Sequence, residues 1–303
     1  MEITFLGTSS AVHSYSRSHP SIAIKAFGET MLFDCGEGTQ RQLIYAKISP
    51  MKISKIFISH FHGDHILGIP GLLQSMNFRG RETKLTIYGP KGLYDLKEAV
   101  SKLGFPNFDF PLEWIEIGSG TIIETEEYVI KAQKVRHNTL TLAYSIEEIK
   151  KPRFQREKAI ELGVPVGPDF GKLHNGIPVE IDGKIILPEQ VLGPPRKGHK
   201  VTYSGDTIPC EEMIHFAKES DLLIHESTYK SEDKDKAEMH AHSTSADAAY
   251  IALQSNSKEL ILTHISTRYT KIDDLLDEAR EIFENTKIAE DLMKVELKYE
   301  PSD

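Results

Sequence analysis

The chain has 303 residues, 39% of them hydrophobic and 27% charged, with a formal net charge of −9 at pH 7. That is enough for one large domain or two small ones with a sizeable core, while no apolar run approaches the ~20 residues of a membrane span. The start, Met1-Glu2-Ile3-Thr4-Phe5, reads as a strand and not as a signal peptide, and two cysteines, Cys35 and Cys210, leave no disulfide framework. A reducing, cytoplasmic setting fits, with both cysteines as small buried residues.

In chain order, residues 1–145 alternate short strands with turns, with helical stretches predicted at 37–48 and 91–103. Ile53–Ser59 is β-branched and aromatic enough for a buried strand. Ile66–Leu73 opens a helix. Between them lies His60-Phe61-His62-Gly63-Asp64-His65. One histidine there would be an ordinary polar loop residue. Four ligand-type residues this close together, at a strand's C-terminal edge, call for a metal. His60 and His62, two apart, point the same way. Asp64 and His65 lie past Gly63, where the chain turns. Two ligand pairs aimed at two ions is the reading.

His137 follows the strand-like Tyr128–Val135, Asp206 follows Lys200–Gly205, and His264 follows Glu259–Thr263. Each is a ligand type just past a short apolar strand. Singly, each reads equally well as a cap or a hydrogen-bonded core residue; together they repeat one architecture. From 149 to 198 the pattern breaks into a Pro- and Gly-rich segment with one short predicted helix, 155–162, stopped by Gly163 and Pro165. Its start carries Lys150, Lys151, Arg153, Arg156 and Lys158 against one anion, and Arg196 and Lys197 form a second basic patch near its end. An acidic protein with a basic stripe can still bind RNA, because a phosphate backbone responds to local potential. Strand and helix then alternate through 201–205, 211–219, 221–225, 243–255 and 260–263, with a last helix at 272–283. The acidic stretch 272–303 reads as solvated helix faces.

These residues resemble the metallo-β-lactamase superfamily and, within it, the ribonuclease Z family in its short form. The resemblance is carried by Phe5–Ser10, Phe33–Gln42, Tyr203–Thr207, His225–Thr228, His240–Thr244 and Leu262–His264, in family order across nearly the whole chain. One departure is Arg17-Ser18-His19, where the family has an Arg-Asn pair. The resemblance implies an α/β fold, a four-layer αββα metallo-β-lactamase sandwich with an inserted flexible arm: one domain over 1–303 with the tRNA-binding arm at 149–198. Gly163–Leu173, with Lys172, is similar to the arm's tip. It implies a homodimer acting on precursor tRNA, with no membrane partner.

The ligand assignment is His60, His62 and His137 to one ion, Asp64, His65 and His264 to the other, with Asp206 bridging. Imidazole and carboxylate donors without thiolate suit zinc, with manganese or iron possible, so two zinc ions per subunit are expected. Two divalent ions, two carboxylates and a bridging hydroxide leave a charge of about +1, suited to a phosphodiester. The resemblance implies that this hydroxide attacks after the discriminator nucleotide, leaving a 3′-hydroxyl tRNA and a 5′-phosphate trailer. By resemblance, Asp64 accepts the water's proton and His242, oriented by Glu226, protonates the leaving oxygen. Asp34 is expected to be architectural, with a bond to a metal histidine as the alternative. Ser9, Ser10 and Thr39 are expected at the RNA end, and His225 and His240 to be structural. The rival readings are another hydrolase on the same fold, such as a cyclic-nucleotide phosphodiesterase or arylsulfatase, and a non-catalytic RNA-binding protein.

Overall fold

The computed structural model describes residues 1–103 and 107–299. The chain divides into two compact units, 1–147 with 199–303, and 148–198.

The strands in chain order are β1 (Glu2–Gly7), β2 (Ser21–Ala26), β3 (Glu29–Phe33), β4 (Ile53–Phe57), β5 (Leu85–Gly89), β6 (Leu112–Glu116), β7 (Gly120–Glu124), β8 (Tyr128–Arg136), β9 (Leu140–Lys150), β10 (Val179–Ile181), β11 (Lys184–Ile186), β12 (Arg196–Tyr203), β13 (Leu222–Glu226), β14 (Leu260–Thr263), β15 (Thr286–Ile288) and β16 (Lys294–Glu296). One seven-stranded sheet has the order β16-β1-β2-β3-β4-β5-β6, and the other β15-β14-β13-β12-β9-β8-β7. Strands β3 to β6 run parallel, as do β12 to β15. Parallel strands covered on both faces need near-continuous apolar runs. Leu222-Leu223-Ile224 and Leu260-Ile261-Leu262 supply them, and all six are fully buried.

Alternation sorts these side chains into layers. Phe57 of β4 and Ile224 of β13 meet between the sheets with Phe5, Phe33, Tyr144 and Tyr203. Ile56 of β4 turns outward, with Leu6 and Leu32, under the helices α1 (Thr39–Tyr45), α2 (Gly63–Ile66), α3 (Ile69–Phe78) and α4 (Leu93–Ser101), where Leu43, Leu72, Leu73, Met76 and Leu93 pack. Leu223 and Leu262 face outward on the other sheet. In the second unit lie α5 (Arg156–Glu161) and α6 (Pro168–His174). The helices α7 (Glu211–Phe216), α8 (Lys234–His240), α9 (Ser245–Gln254) and α10 (Asp273–Arg280) follow, and Met213, Ala248, Ile251 and Ala279 from α7, α9 and α10 cover that outer face. The four layers are therefore helix, sheet, sheet, helix.

Two expectations change. Residues 148–198 hold not one helix but two, α5 and α6, with the hairpin β10–β11 and a core of Ala159, Val164, Leu173, Val179, Ile186 and Val191. The hairpin turns on Asp182 and Gly183, both at positive φ (49° and 76°), the conformation that a two-residue Asp-Gly turn selects. The end of the chain is not all helix. After α10, residues 286–288 and 294–296 become β15 and β16, edge strands of the two sheets; residues 300–303 of the acidic stretch lie outside the described residues.

Candidate metal centre

The C-terminal ends of β3, β4, β8, β12, β13 and β14 deliver the candidate residues, all in the first unit. Gly205, at φ 59°, turns the chain after β12; a Cβ there would lie 3.0 Å from Ser59 Cβ and 3.1 Å from the Leu142 carbonyl, so only glycine lets Asp206 approach. Gly36 has a similar role by closeness, since a Cβ would stand 2.1 Å from the Asp64 carbonyl oxygen.

The donor atoms converge in two sets. His60 Nε2 is 3.0 Å from His62 Nδ1, and His137 Nε2 is 3.4 Å from that same atom. His65 Nε2 lies 3.6 Å and His264 Nε2 3.4 Å from Asp64 Oδ2. Asp206 Oδ2 stands between the sets, 3.6 Å from His60 Nε2 and 3.4 Å from both His65 Nε2 and His264 Nε2. Four donors about 2.1 Å from a tetrahedral ion are ~3.4 Å apart, so these separations fit shared ions. His60/His62/His137/Asp206 and Asp64/His65/His264 each group as such a site.

The outward nitrogens fix the tautomers. His65 Nδ1 donates to Asp34 Oδ2 at 2.8 Å and His137 Nδ1 donates to the Ala241 carbonyl at 2.6 Å, leaving each Nε2 lone pair aimed inward. His60 Nδ1 meets Ser59 Oγ at 3.0 Å and His264 Nδ1 meets Thr228 Oγ1 at 2.8 Å. His65 Nε2, His264 Nε2 and Asp206 Oδ1 are buried with no hydrogen-bond partner among the described residues. Orphaned buried polar atoms are costly, and bound divalent cations would satisfy them. Titration agrees. Burial, with His65 beside it, holds His60 well below the usual histidine range, and burial lowers His62 and His137. Burial opposes ionisation of Asp206, but His264, His65 and His60 outweigh it and hold the carboxyl well below the usual range. Neutral imidazoles and ionised carboxylates are the forms that ligate.

Asp34 corrects its expectation. Held at φ 57° at the end of β3 and fully buried, it accepts from Ser59 N (2.7 Å), Ser59 Oγ (2.8 Å), Tyr203 Oη (2.8 Å) and His65 Nδ1. It is the anchor of a metal-facing histidine. His264 also sits at positive φ, 60°; such strain in non-glycine residues gathers at functional sites.

Beside the donors stands a second device. Glu226, 1% exposed, accepts from Thr207 N (3.0 Å), Thr228 N (3.1 Å), Thr228 Oγ1 (2.7 Å) and His242 Nδ1 (2.8 Å). The His242 ring is 4.9 Å from that of His137 and 5.4 Å from that of His264. Burial opposes its charge, but Glu226 outweighs that and raises its pKa to about 9.

His225 is buried against its own strand and His240 stacks on Tyr229 at 6.4 Å. Ser9 and Thr39 do not reach outward: both are buried, and their hydroxyls donate to the Val12 and Gly36 carbonyls. Ser10 is likewise 7% exposed. Cys35 is buried, its thiol pushed up to about 12, and burial raises Cys210 too; neither ligates. Lys150, Lys151, Arg153, Arg156, Lys158, Lys172, Arg196 and Lys197 all belong to the second unit, where Lys151 donates to Asn175 and Lys172 pairs with Asp169. What sequence reading missed are the supports: Ser59, Thr228, Tyr203 and the Ala11 amide, which donates to Asp64 Oδ2 at 2.8 Å. Residue type carries no signal for such roles.

Fold and centre together define a metal-dependent hydrolase of the metallo-β-lactamase fold. Residues 191–265 match the β-lactamase superfamily domain, and residues 1–146 match the family of the anti-Pycsar protein Apyc1. The chain is 55% identical to ribonuclease Z of Methanothermobacter thermautotrophicus over 298 residues, 98% of this chain and 97% of that one. It is 46% identical to ribonuclease Z of Methanosarcina mazei, with 99% of each chain covered. The crystal structure of human tRNase Z, short form, aligns over 99% of this chain and 100% of its own, at 28% identity and a TM-score of 0.71. The chain belongs to the ribonuclease Z family, and it is an endoribonuclease, a metal-dependent phosphodiester hydrolase.

Proposed function

We propose that this protein removes the 3′ trailer from precursor tRNA, cutting after the discriminator nucleotide to leave a 3′-hydroxyl on the tRNA and a 5′-phosphate on the trailer. The observation that carries the reading is the His242–Glu226 pair, its Nδ1 and Oε1 2.8 Å apart, standing beside the two donor sets. A phosphodiester cleaved between them has its leaving oxygen next to an acid. The family's names supply tRNA as the substrate class.

His60, His62 and His137 would hold one zinc ion and Asp64, His65 and His264 the other, with Asp206 within reach of both donor sets. When bound, the ions supply Lewis acidity that makes a water nucleophilic near pH 7 and offsets charge on the phosphate. Asp64 takes the proton released by the attacking water. His242 gives a proton to the departing 3′ oxygen, and Glu226 keeps its ring oriented and favours its protonated form before the transfer. Asp34 holds His65 in the tautomer that leaves Nε2 free. Basic residues of the second unit, Lys150, Lys151, Arg153, Arg156, Lys158, Lys172, Arg196 and Lys197, bind the tRNA body as an arm, and the working form is a cytoplasmic homodimer. No helix among the described residues is long and apolar enough to cross a membrane.

The test is mapping of the cut on an end-labelled precursor tRNA, with metal analysis of the purified protein, before and after chelation. A single cut after the discriminator, lost on chelation and restored by zinc, is expected. A cut elsewhere, or one indifferent to chelation, refutes the proposal.

A further inference from the structure

In the loop between β1 and β2, residues 8–20, the Ala11 amide reaches the centre and donates to Asp64 Oδ2 at 2.8 Å. Ala11 makes this bond from the left-handed region, at φ 52°, a conformation that a residue with a Cβ avoids unless its surroundings impose it. Within the loop, Ser9 N donates to the Ser18 carbonyl at 2.9 Å. At its start, Ile265 N donates to the Thr8 carbonyl at 2.9 Å and Ser10 N to the Ile265 carbonyl at 3.1 Å, tying it to the residue after His264.

What clamps the loop's two ends comes from the far end of the chain. Asp291, between β15 and β16, accepts from Thr8 Oγ1 (2.8 Å) on Oδ1, and from Ser18 N (2.8 Å) and Gln42 Nε2 (2.8 Å) on Oδ2. Thr8 Oγ1 in turn accepts from Arg17 Nη1 (2.6 Å), which also donates to the Ala289 carbonyl (2.6 Å). One carboxylate thus holds the entry of the loop, its exit and the first turn of α1. This half-buried polar network rigidifies what it joins in so far as its members are paired.

We propose that Asp291 is a positioning residue for Asp64: it clamps the loop so that the strained Ala11 amide stays on Asp64 Oδ2 and fixes how that carboxylate faces the centre. The proposal rests on the assignment of Asp64 to the reaction. It also gives Arg17 a role through Thr8 and the backbone at Ala289, inside the fold.

The experiment compares Asp291→Asn, Thr8→Val and Asp64→Asn with the unaltered protein. It reads steady-state hydrolysis of bis(p-nitrophenyl) phosphate and hydrogen exchange of the Ala11 amide in metal-free and metal-loaded protein. Asp291→Asn is expected to speed Ala11 exchange in both forms and to lower kcat by ~10-fold, the loss of about one buried hydrogen bond, with KM within about twofold. Thr8→Val, near-isosteric, is expected to shift both in the same direction by less, and carries the test if Asp291→Asn does not fold. Unchanged Ala11 exchange, or a raised KM at constant kcat, overturns the positioning role while leaving Asp64's own role intact. An Asp64→Asn variant as active as the unaltered protein overturns the underlying assignment, and the positioning role with it.

Discussion

At the residue scale, the chemistry divides between groups that face the centre and groups that hold them. His242→Ala is expected to lower single-turnover cleavage of precursor tRNA by ~10²–10⁴-fold, the usual contribution of a positioned acid. Glu226→Gln, which keeps the shape but removes the charge opposite His242 Nδ1, is expected to lose less. Rates unchanged in both would refute the acid assignment. For Asp34→Asn the effect falls on the metal: affinity is expected to drop by ~10–100-fold, as when such supporting partners are lost elsewhere, read by competition with a graded set of chelators. Equal retention in both proteins would show that the Asp34–His65 bond does not set affinity. The facing groups were legible because their types are rare and their spacing is short or repeated, as in His60 to His65. The holding groups were not. Asp34 meets Ser59 and His65 only because β3 and β4 pair in parallel with Phe33 opposite Phe57, and nothing local to Asp34 announces that.

At the scale of elements, periodic segments were readable and short ones were not. Ile53–Ser59 and 260–263 show as strands because both faces are buried. The helix α8 carries one buried residue, Ala237, and has no apolar stripe to see. Strands β15 and β16 are three residues each, too short for a period of two to register. In 148–198 the Pro and Gly content masked an ordinary hairpin signal, Asp182-Gly183 between Val179–Ile181 and Lys184–Ile186. That unit has its own small core, and its cations are none of the candidate metal ligands. Neutralising Lys150, Lys151, Arg153, Arg156 and Lys158 together is expected to weaken precursor tRNA cleavage at least ~10²-fold at physiological salt and to flatten its salt dependence. Hydrolysis of bis(p-nitrophenyl) phosphate should stay near its starting rate. tRNA cleavage that persists undiminished would remove the second unit from substrate binding.

For the whole molecule, the centre is a joint between two sheets. His60, His62, Asp64 and His65 follow β4 of the first; His137, Asp206 and His264 follow β8, β12 and β14 of the second. Ions held across that joint bind only the folded chain. Each ion present at a hundredfold above its dissociation constant stabilises that state by ~3 kcal/mol, so full chelation is expected to lower Tm by on the order of 5–10 °C, measured by calorimetry. A Tm that stays constant while the metal content falls to zero would place the ions outside the folding equilibrium.

The pairing of β16 with β1 has a consequence for biosynthesis. At ~5–20 residues per second, the ribosome releases the His60–His65 cluster well before it reaches His264. Asp291 and the strand that pairs with β1 come later still. A chain made only through His65 carries four of the seven candidate ligands and lacks Asp291, the carboxylate at the middle of the loop clamp. The order of synthesis thus sets the order in which the centre is completed: the strand that starts the fold waits for β16 before its edge is paired.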